Sequence, residues 1–228
     1  MKTKLFTLLA GLLLLTSCSE SQDDITEPTT AETSFFNLKI GNEWVYKTYD
    51  RQDFTSELKP NGEVDSVKIV STVTLNGKNY FKVENINRRP PNYSPNRTVS
   101  YNYWRVNDKG HLVSLSSYYF DQGNSSDAVE LVKHSGKDFS YVYADISLSQ
   151  YGNIIYKLYP ETTITLNNES YKVSPYNGQF TPNAQNPTLI PKVVEYNYKE
   201  GVGLVKSVCH SVSGTYNFEQ HLESYSLK

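Results

Sequence analysis

Cysteine is nearly absent from this 228-residue chain: Cys18 and Cys209 are the only two. That excludes a disulfide-stapled scaffold and a multi-cysteine metal site. Positive charge is not in excess either, with 22 Lys+Arg against 24 Asp+Glu, so the basic face of a nucleic-acid binder is missing. No apolar run is long enough to cross a bilayer as a helix. No stretch repeats apolar residues at helical spacing over three turns, and only the segment near 125–134 admits a short helix. The chain is not disordered, because 13% of it is aromatic and its net charge is only −2.

The signatures of catalysis are missing as well. Gly201-Val202-Gly203 lacks the third glycine and the Lys-Ser/Thr of nucleotide loops, and reads as a hairpin turn. His111, His134, His210 and His221 show no metal-ligand spacing. Cys209 and His210 are strand neighbours that point to opposite faces, which argues against a nucleophile pair. Asp121 to Asp127 alternates oxygen ligands as a calcium loop does. It lacks the sixth-position glycine and has Val132 where a bidentate glutamate belongs, so it reads as a solvated turn. Glu161, Glu195, Asp138 and Asp145 have no context that fixes a carboxylate pair, and no Gly-x-Ser-x-Gly elbow exists. The sequence assigns no catalytic residue, no cofactor and no metal, and the protein reads as non-enzymatic.

The N-terminus carries an address. Lys2 and Lys4 precede an apolar run from Leu5 to Leu15, the pattern of a signal peptide. Leu15-Thr16-Ser17-Cys18 then resembles the lipobox of bacterial lipoproteins. The resemblance implies cleavage before Cys18 and lipidation of its thiol. Two or three acyl chains anchor firmly, since each buried CH₂ contributes about 0.8 kcal/mol. Residues 1–17 are thus expected to be a signal peptide, 18–34 a flexible acidic tether, and 35–228 one folded domain. Gln22-Asp23-Asp24 in the tether is similar to the acidic export signal of Bacteroidota surface lipoproteins. The expected location is the outer membrane, on the cell surface rather than the periplasmic face, with the membrane as a partner through the lipid on Cys18.

From Phe35 onward the chain reads as strands. Trp44, Tyr46 and Thr48 share one face, with Trp44 expected as a core anchor without a ligand role. Val67, Ile69, Ser71, Val73 and Leu75 alternate along a long second strand. Asn76-Gly77 is a strong hairpin signal, because both positions favour positive φ. Phe81 and Val83 oppose Tyr80, Lys82 and Glu84 in the next strand. Val99, Tyr101 and Tyr103 oppose Asn102, Trp104 and Val106, and Asn107 to Gly110 turns the chain into a strand over 112–120. Prolines place loops at 88–96 and 178–191. Strands are expected near 128–133, 139–147, 153–159, 162–166 and 170–176, then at 194–199, 204–211 and 215–226. No internal repeat divides the domain. The fold class is all-β: a single antiparallel β domain, a barrel or half-barrel (lipocalin-like or LolA-like), with a β-sandwich as the alternative.

Two patches carry a family likeness. Phe36 to Tyr46, with its Gly-x-x-Trp-x-Tyr core, resembles the opening strand of Bacteroidota surface lipoproteins. Tyr198 to Lys206 and the closing Leu222-Glu223-Ser224-Tyr225 resemble their C-terminal hairpin. The resemblance implies an antiparallel β fold and no assigned activity.

Tyrosine is abundant, 19 against 9 Phe. A rigid apolar ring with a polar tip suits both a barrel wall and a binding surface. Tyr101, Tyr103, Tyr118, Tyr119, Tyr196 and Tyr198 are the candidate ligand surface. The leading expectation is a lipid-anchored envelope protein that binds a glycan, a peptide or another envelope protein. The alternatives are a carrier of lipid or another hydrophobic ligand in a β-barrel cavity, and a hydrolase whose site is assembled from scattered residues. A carrier requires a contiguous apolar interior; a hydrolase requires titratable groups with shifted pKa values in one cleft.

Overall fold

A computed structural model describes residues 33–52, 56–132, 140–143, 151–189, 191–210 and 216–228. The signal segment, Cys18, nearly all of the tether, His134, Asp138 and Asp145 lie outside the described residues. The elements in chain order are α1 (Thr33–Phe36), β1 (Glu43–Arg51), β2 (Lys59–Leu75), β3 (Lys78–Arg88), β4 (Arg97–Val106) and β5 (Leu112–Ser116). There follow α2 (Ser117–Asp121), a 3₁₀ turn (Ser125–Asp127), β6 (Val129–Val132), β7 (Ser140–Tyr143), β8 (Gly152–Leu158) and β9 (Thr162–Leu166). The chain closes with β10 (Glu169–Pro182), β11 (Lys192–Lys199), β12 (Gly203–His210) and β13 (Asn217–Ser226).

One antiparallel sheet contains every strand of the described residues, in the order β6-β5-β4-β3-β2-β1-β13-β12-β11-β10-β8-β7, with β9 paired to β10. The first and last strands are therefore neighbours at the centre, and a meander runs outward on each side. Among the described residues β6 and β7 do not pair, so the sheet stays open. The all-β, single-domain reading holds, whereas a closed barrel and a two-sheet sandwich do not. The sheet nevertheless curls: Leu112 and Val132 from one end share a core cluster with Ile154 and Phe180 from the other.

Local chemistry fixes the turns. Asn76 (φ 50) and Gly77 (φ 71) adopt the positive φ that a two-residue hairpin requires. Asn107 closes the β4–β5 turn, its Oδ1 accepting from the N–H groups of Lys109 and His111 at 3.0 Å each.

Three expectations are corrected. Val67, Ile69, Ser71, Val73 and Leu75 do not share a face, because the β2–β3 register shifts between Ile69 and Ser71. The extra residue, Val70, is a bulge that reverses the parity of everything after it. Ile69 pairs with Val83 over the main core, while Val73 pairs with Tyr80 on the opposite face. Secondly, the strand expected over 112–120 stops at Ser116, and Ser117–Asp121 forms α2. The helix turns Phe120 back onto the convex face, where it stacks on Tyr103 at 3.7 Å and meets Tyr80 edge-on. Thirdly, residues 178–182 belong to β10 and not to a loop. Gly178 pairs with Tyr156 and Val194, and a Cβ there would stand 2.5 Å from the Tyr156 ring. The glycine is the gap into which that ring fits.

Candidate functional site

The two motif patches meet at one end of the concave face. Gly41, in a positive-φ conformation that glycine favours (φ 91), donates its N–H to Ile69 O at 2.8 Å and turns the chain into β1. Asn42, fully buried, bonds Asn37 O through its amide and accepts the Lys228 N–H at 2.8 Å. Strand alternation then aims Trp44 and Tyr46 inward. The Trp44 indole N–H donates to Val202 O at 2.6 Å, and the Tyr46 hydroxyl to Leu204 O at 3.0 Å. The Gly201 N–H donates to Phe35 O at 2.8 Å, and the Asn37 amide to Gly201 O at 3.1 Å. The opening segment is thus bolted to the C-terminal hairpin.

Beyond this junction the concave face encloses a cavity of about 680 Å³. Its walls come from both halves of the sheet: Trp44, Tyr46, Val67, Trp104 and Leu112 on one side, and Ile154, Tyr156, Val194, Tyr196, Tyr198, Leu204 and Phe218 on the other. Phe36 and Leu38, preceding β1, complete the apolar lining. The whole set is a product of curvature, since no local stretch supplies more than a few of its members.

A polar group interrupts the apolar wall. Asp65 on β2 pairs with Tyr46 in register and faces inward beside Gln220 and Asn85. The Gln220 amide donates to one carboxylate oxygen at 2.7 Å, and the Asn87 amide to the other at 2.7 Å. Burial pushes the Asp65 carboxyl above the usual range and Glu63 adds to that, while the two amide bonds and Arg89 oppose it. Thr48, 4% exposed, faces the same side opposite Gln220. Among the described residues its hydroxyl and the Asn87 Oδ1 have no hydrogen-bond partner.

Two tyrosines and the thiol of the wall are held neutral. Burial raises the pKa of Tyr46 and of Tyr196, so both hydroxyls remain protonated. Burial likewise pushes the Cys209 thiol up, against a hydrogen bond with Tyr196. A thiol held protonated in this way is a poor nucleophile.

The structure divides the six candidate tyrosines among separate places. Tyr196 and Tyr198 line the cavity. Tyr103 is buried on the convex face against Phe120, and Tyr101 lies on that face with its hydroxyl donating to Glu84 at 3.2 Å and Lys82 over its ring. Tyr118 and Tyr119 sit exposed on α2, packed edge to face with each other. Only the β11 pair joins the cavity. Trp44 is buried in the core as expected and also forms part of the cavity wall.

A second polar cluster lies on the convex face and is structural. Glu219 accepts from Lys206 at 2.7 Å and lies 2.8 Å from His221 Nε2, with Arg51 at 3.7 Å. Burial works to raise the Glu219 pKa, but the bonds to His221 and Lys206 outweigh it and bring it down to about 2. Glu161 forms an exposed ion pair with Lys172, and Glu195 sits on β11 opposite Val208, so these two carboxylates are not brought together as a pair. Among the described residues no three His, Cys, Asp or Glu side chains are placed to hold a metal ion. The 121–127 loop is tied by its own Asn124, which bonds Ser126 and Asp127, and by Asn76 from the β2–β3 turn.

Sequence reasoning missed Asp65 and Gln220. The available signal was a carboxylate in phase with Val67 and Ile69 on an otherwise apolar face.

No family model matches the chain, and no curated protein matches it. Among solved structures, the chain is similar to a Bacteroides fragilis protein named as an exported protein with a YmcC-like fold. The TM-score is 0.47 at 10% identity, covering 84% of this chain and 98% of that one. It is also similar to a Parabacteroides distasonis protein named as a lipoprotein, with TM-score 0.43, 14% identity, and coverage of 84% and 98%.

Proposed function

We propose that this protein is a lipid-anchored envelope protein that binds a small hydrophobic or amphipathic molecule in the concavity of its sheet. One observation carries the reading: a cavity of about 680 Å³ with a predominantly apolar and aromatic lining. Small-molecule sites span roughly 300–1,000 Å³ and combine such walls with a few placed polar groups. Binding, rather than catalysis, accounts for a wall in which Tyr46, Tyr196 and the Cys209 thiol are held protonated. The anchor is the lipid on Cys18, and the acidic Gln22-Asp23-Asp24 tether supports display on the cell surface of the outer membrane.

The test uses N-phenyl-1-naphthylamine, an uncharged probe that fluoresces in apolar sites, added to the full chain. Saturable enhancement is expected, and Val194→Trp, which fills the cavity from β11, should abolish it. A wild-type protein that fails to enhance the probe would refute the reading.

A further inference from the structure

The cavity wall is unevenly charged. Among the described residues its formally charged members are Asp65 and Glu130, and neither lysine nor arginine lines it. Lys192 has the concave parity of β11 but lies at its start and is not part of the wall. The nearest cationic partner of the Asp65 surroundings, Arg89, is engaged by Glu63 at 3.1 Å.

Amide donors at this place are turned toward carboxylates. The Asn87 amide nitrogen serves both Glu63 and Asp65 at 2.7 Å, and the Gln220 nitrogen serves Asp65. Toward the cavity stands the Asp65 carboxylate, with lone pairs that these two bonds do not use. A buried acceptor left unmade is costly, so a site with surplus acceptors discriminates in favour of a donor. An anionic head would meet carboxylate repulsion with no cation among the described residues of the wall to offset it.

We infer that the ligand is an amphiphile with a hydrogen-bond-donating, uncharged or cationic head, which lodges at Asp65 and Gln220 while its chain lies along the aromatic wall. Fatty-acid anions and other carboxylate-headed lipids are disfavoured. This rests on the proposed binding function and adds its headgroup chemistry.

The experiment displaces N-phenyl-1-naphthylamine from the full chain at neutral pH with three ligands of one chain length: dodecylammonium, dodecanol and dodecanoate. Dodecylammonium should compete about tenfold or more better than dodecanoate, with dodecanol between them. Asp65→Asn should erase the advantage of dodecylammonium over dodecanol and leave dodecanol binding in place. Dodecanoate competing as well as dodecylammonium, or an Asp65→Asn protein that keeps the wild-type order, would overturn the inference. If Asp65→Asn no longer binds dodecanol, Asp65→Ser takes its place. Loss of the dodecylammonium advantage over dodecanol supports the inference, and its persistence refutes it. Failure of the naphthylamine probe to bind wild-type protein refutes the binding function itself, which separates the two outcomes.

Discussion

The indole N–H of Trp44 donates to the carbonyl oxygen of Val202 at 2.6 Å, joining residues 158 positions apart. The bond sits where the first strand meets the hairpin that feeds the last two, so one side chain fixes the centre of the sheet. Truncating a buried aromatic costs about 3–5 kcal/mol, a large share of a typical stability of roughly 5–15 kcal/mol. Trp44→Ala should therefore lower the urea midpoint sharply. Trp44→Phe keeps most of the ring but leaves the Val202 carbonyl unpaired, and should cost about 1–3 kcal/mol. Equal stability of the phenylalanine variant and wild type would show that the hydrogen bond contributes nothing.

Glu219 makes the fold acid-sensitive. Its folded-state pKa of about 2 lies below the unfolded value, which is near 4.3 for a glutamate. A depressed carboxylate pKa stabilises the native state at pH values above the unfolded pKa, and that contribution is lost as pH falls toward 2. The linked contribution is on the order of 3 kcal/mol at neutral pH. Urea midpoints of wild type and Glu219→Gln should differ most at pH 7, and the gap should shrink to about half by pH 3. A gap of constant size across that range would exclude the linkage.

Gly178 tests the packing of the β8 to β11 wall. A Cβ there would stand 2.5 Å from the Tyr156 ring and 2.7 Å from Ile154. Gly178→Ala should destabilise by about 1–3 kcal/mol, the usual range for overpacking. It should also weaken binding in the cavity that Tyr156 lines, whereas Gly77→Ala on the exposed β2–β3 turn should affect stability alone.

Much of the fold is legible because strands carry a local code. Alternation around Trp44, Phe81 and Trp104 names the inward faces, and Asn76-Gly77 and Asn107 to Gly110 name the turns. The errors share one cause: tertiary contacts overrode a local pattern. Val70 bulges and reverses the face of Val73, Phe120 folds back to cover Tyr103, and Gly178 stays in a strand because an incoming ring occupies its missing side chain. The cavity is less legible still. Asp65 and Gln220 are 155 residues apart and become neighbours only because β1 separates β2 from β13 by one strand. The tyrosine excess was visible, but whether a given ring faces in or out depends on registers the composition does not encode.

The proposed anchor rests on Cys18 and the residues before it. Cys18→Ala should release the protein from the membrane fraction, because among the described residues no helix is long and apolar enough to cross a bilayer. Fractionation of cells producing the variant decides it, and a variant retained in the washed membrane pellet would contradict a lipid anchor.

The chain has two tryptophans, Trp44 and Trp104, and both line the cavity. Titrating the full chain with a long-chain alcohol brominated along its tail, and reading intrinsic tryptophan fluorescence, therefore reports on the cavity alone. Occupancy predicts saturable quenching in wild type and in each of Trp44→Phe and Trp104→Phe, with a shared midpoint for the two remaining single tryptophans. Quenching that rises linearly without saturation, or that spares both rings, would show that no ligand enters the concave face.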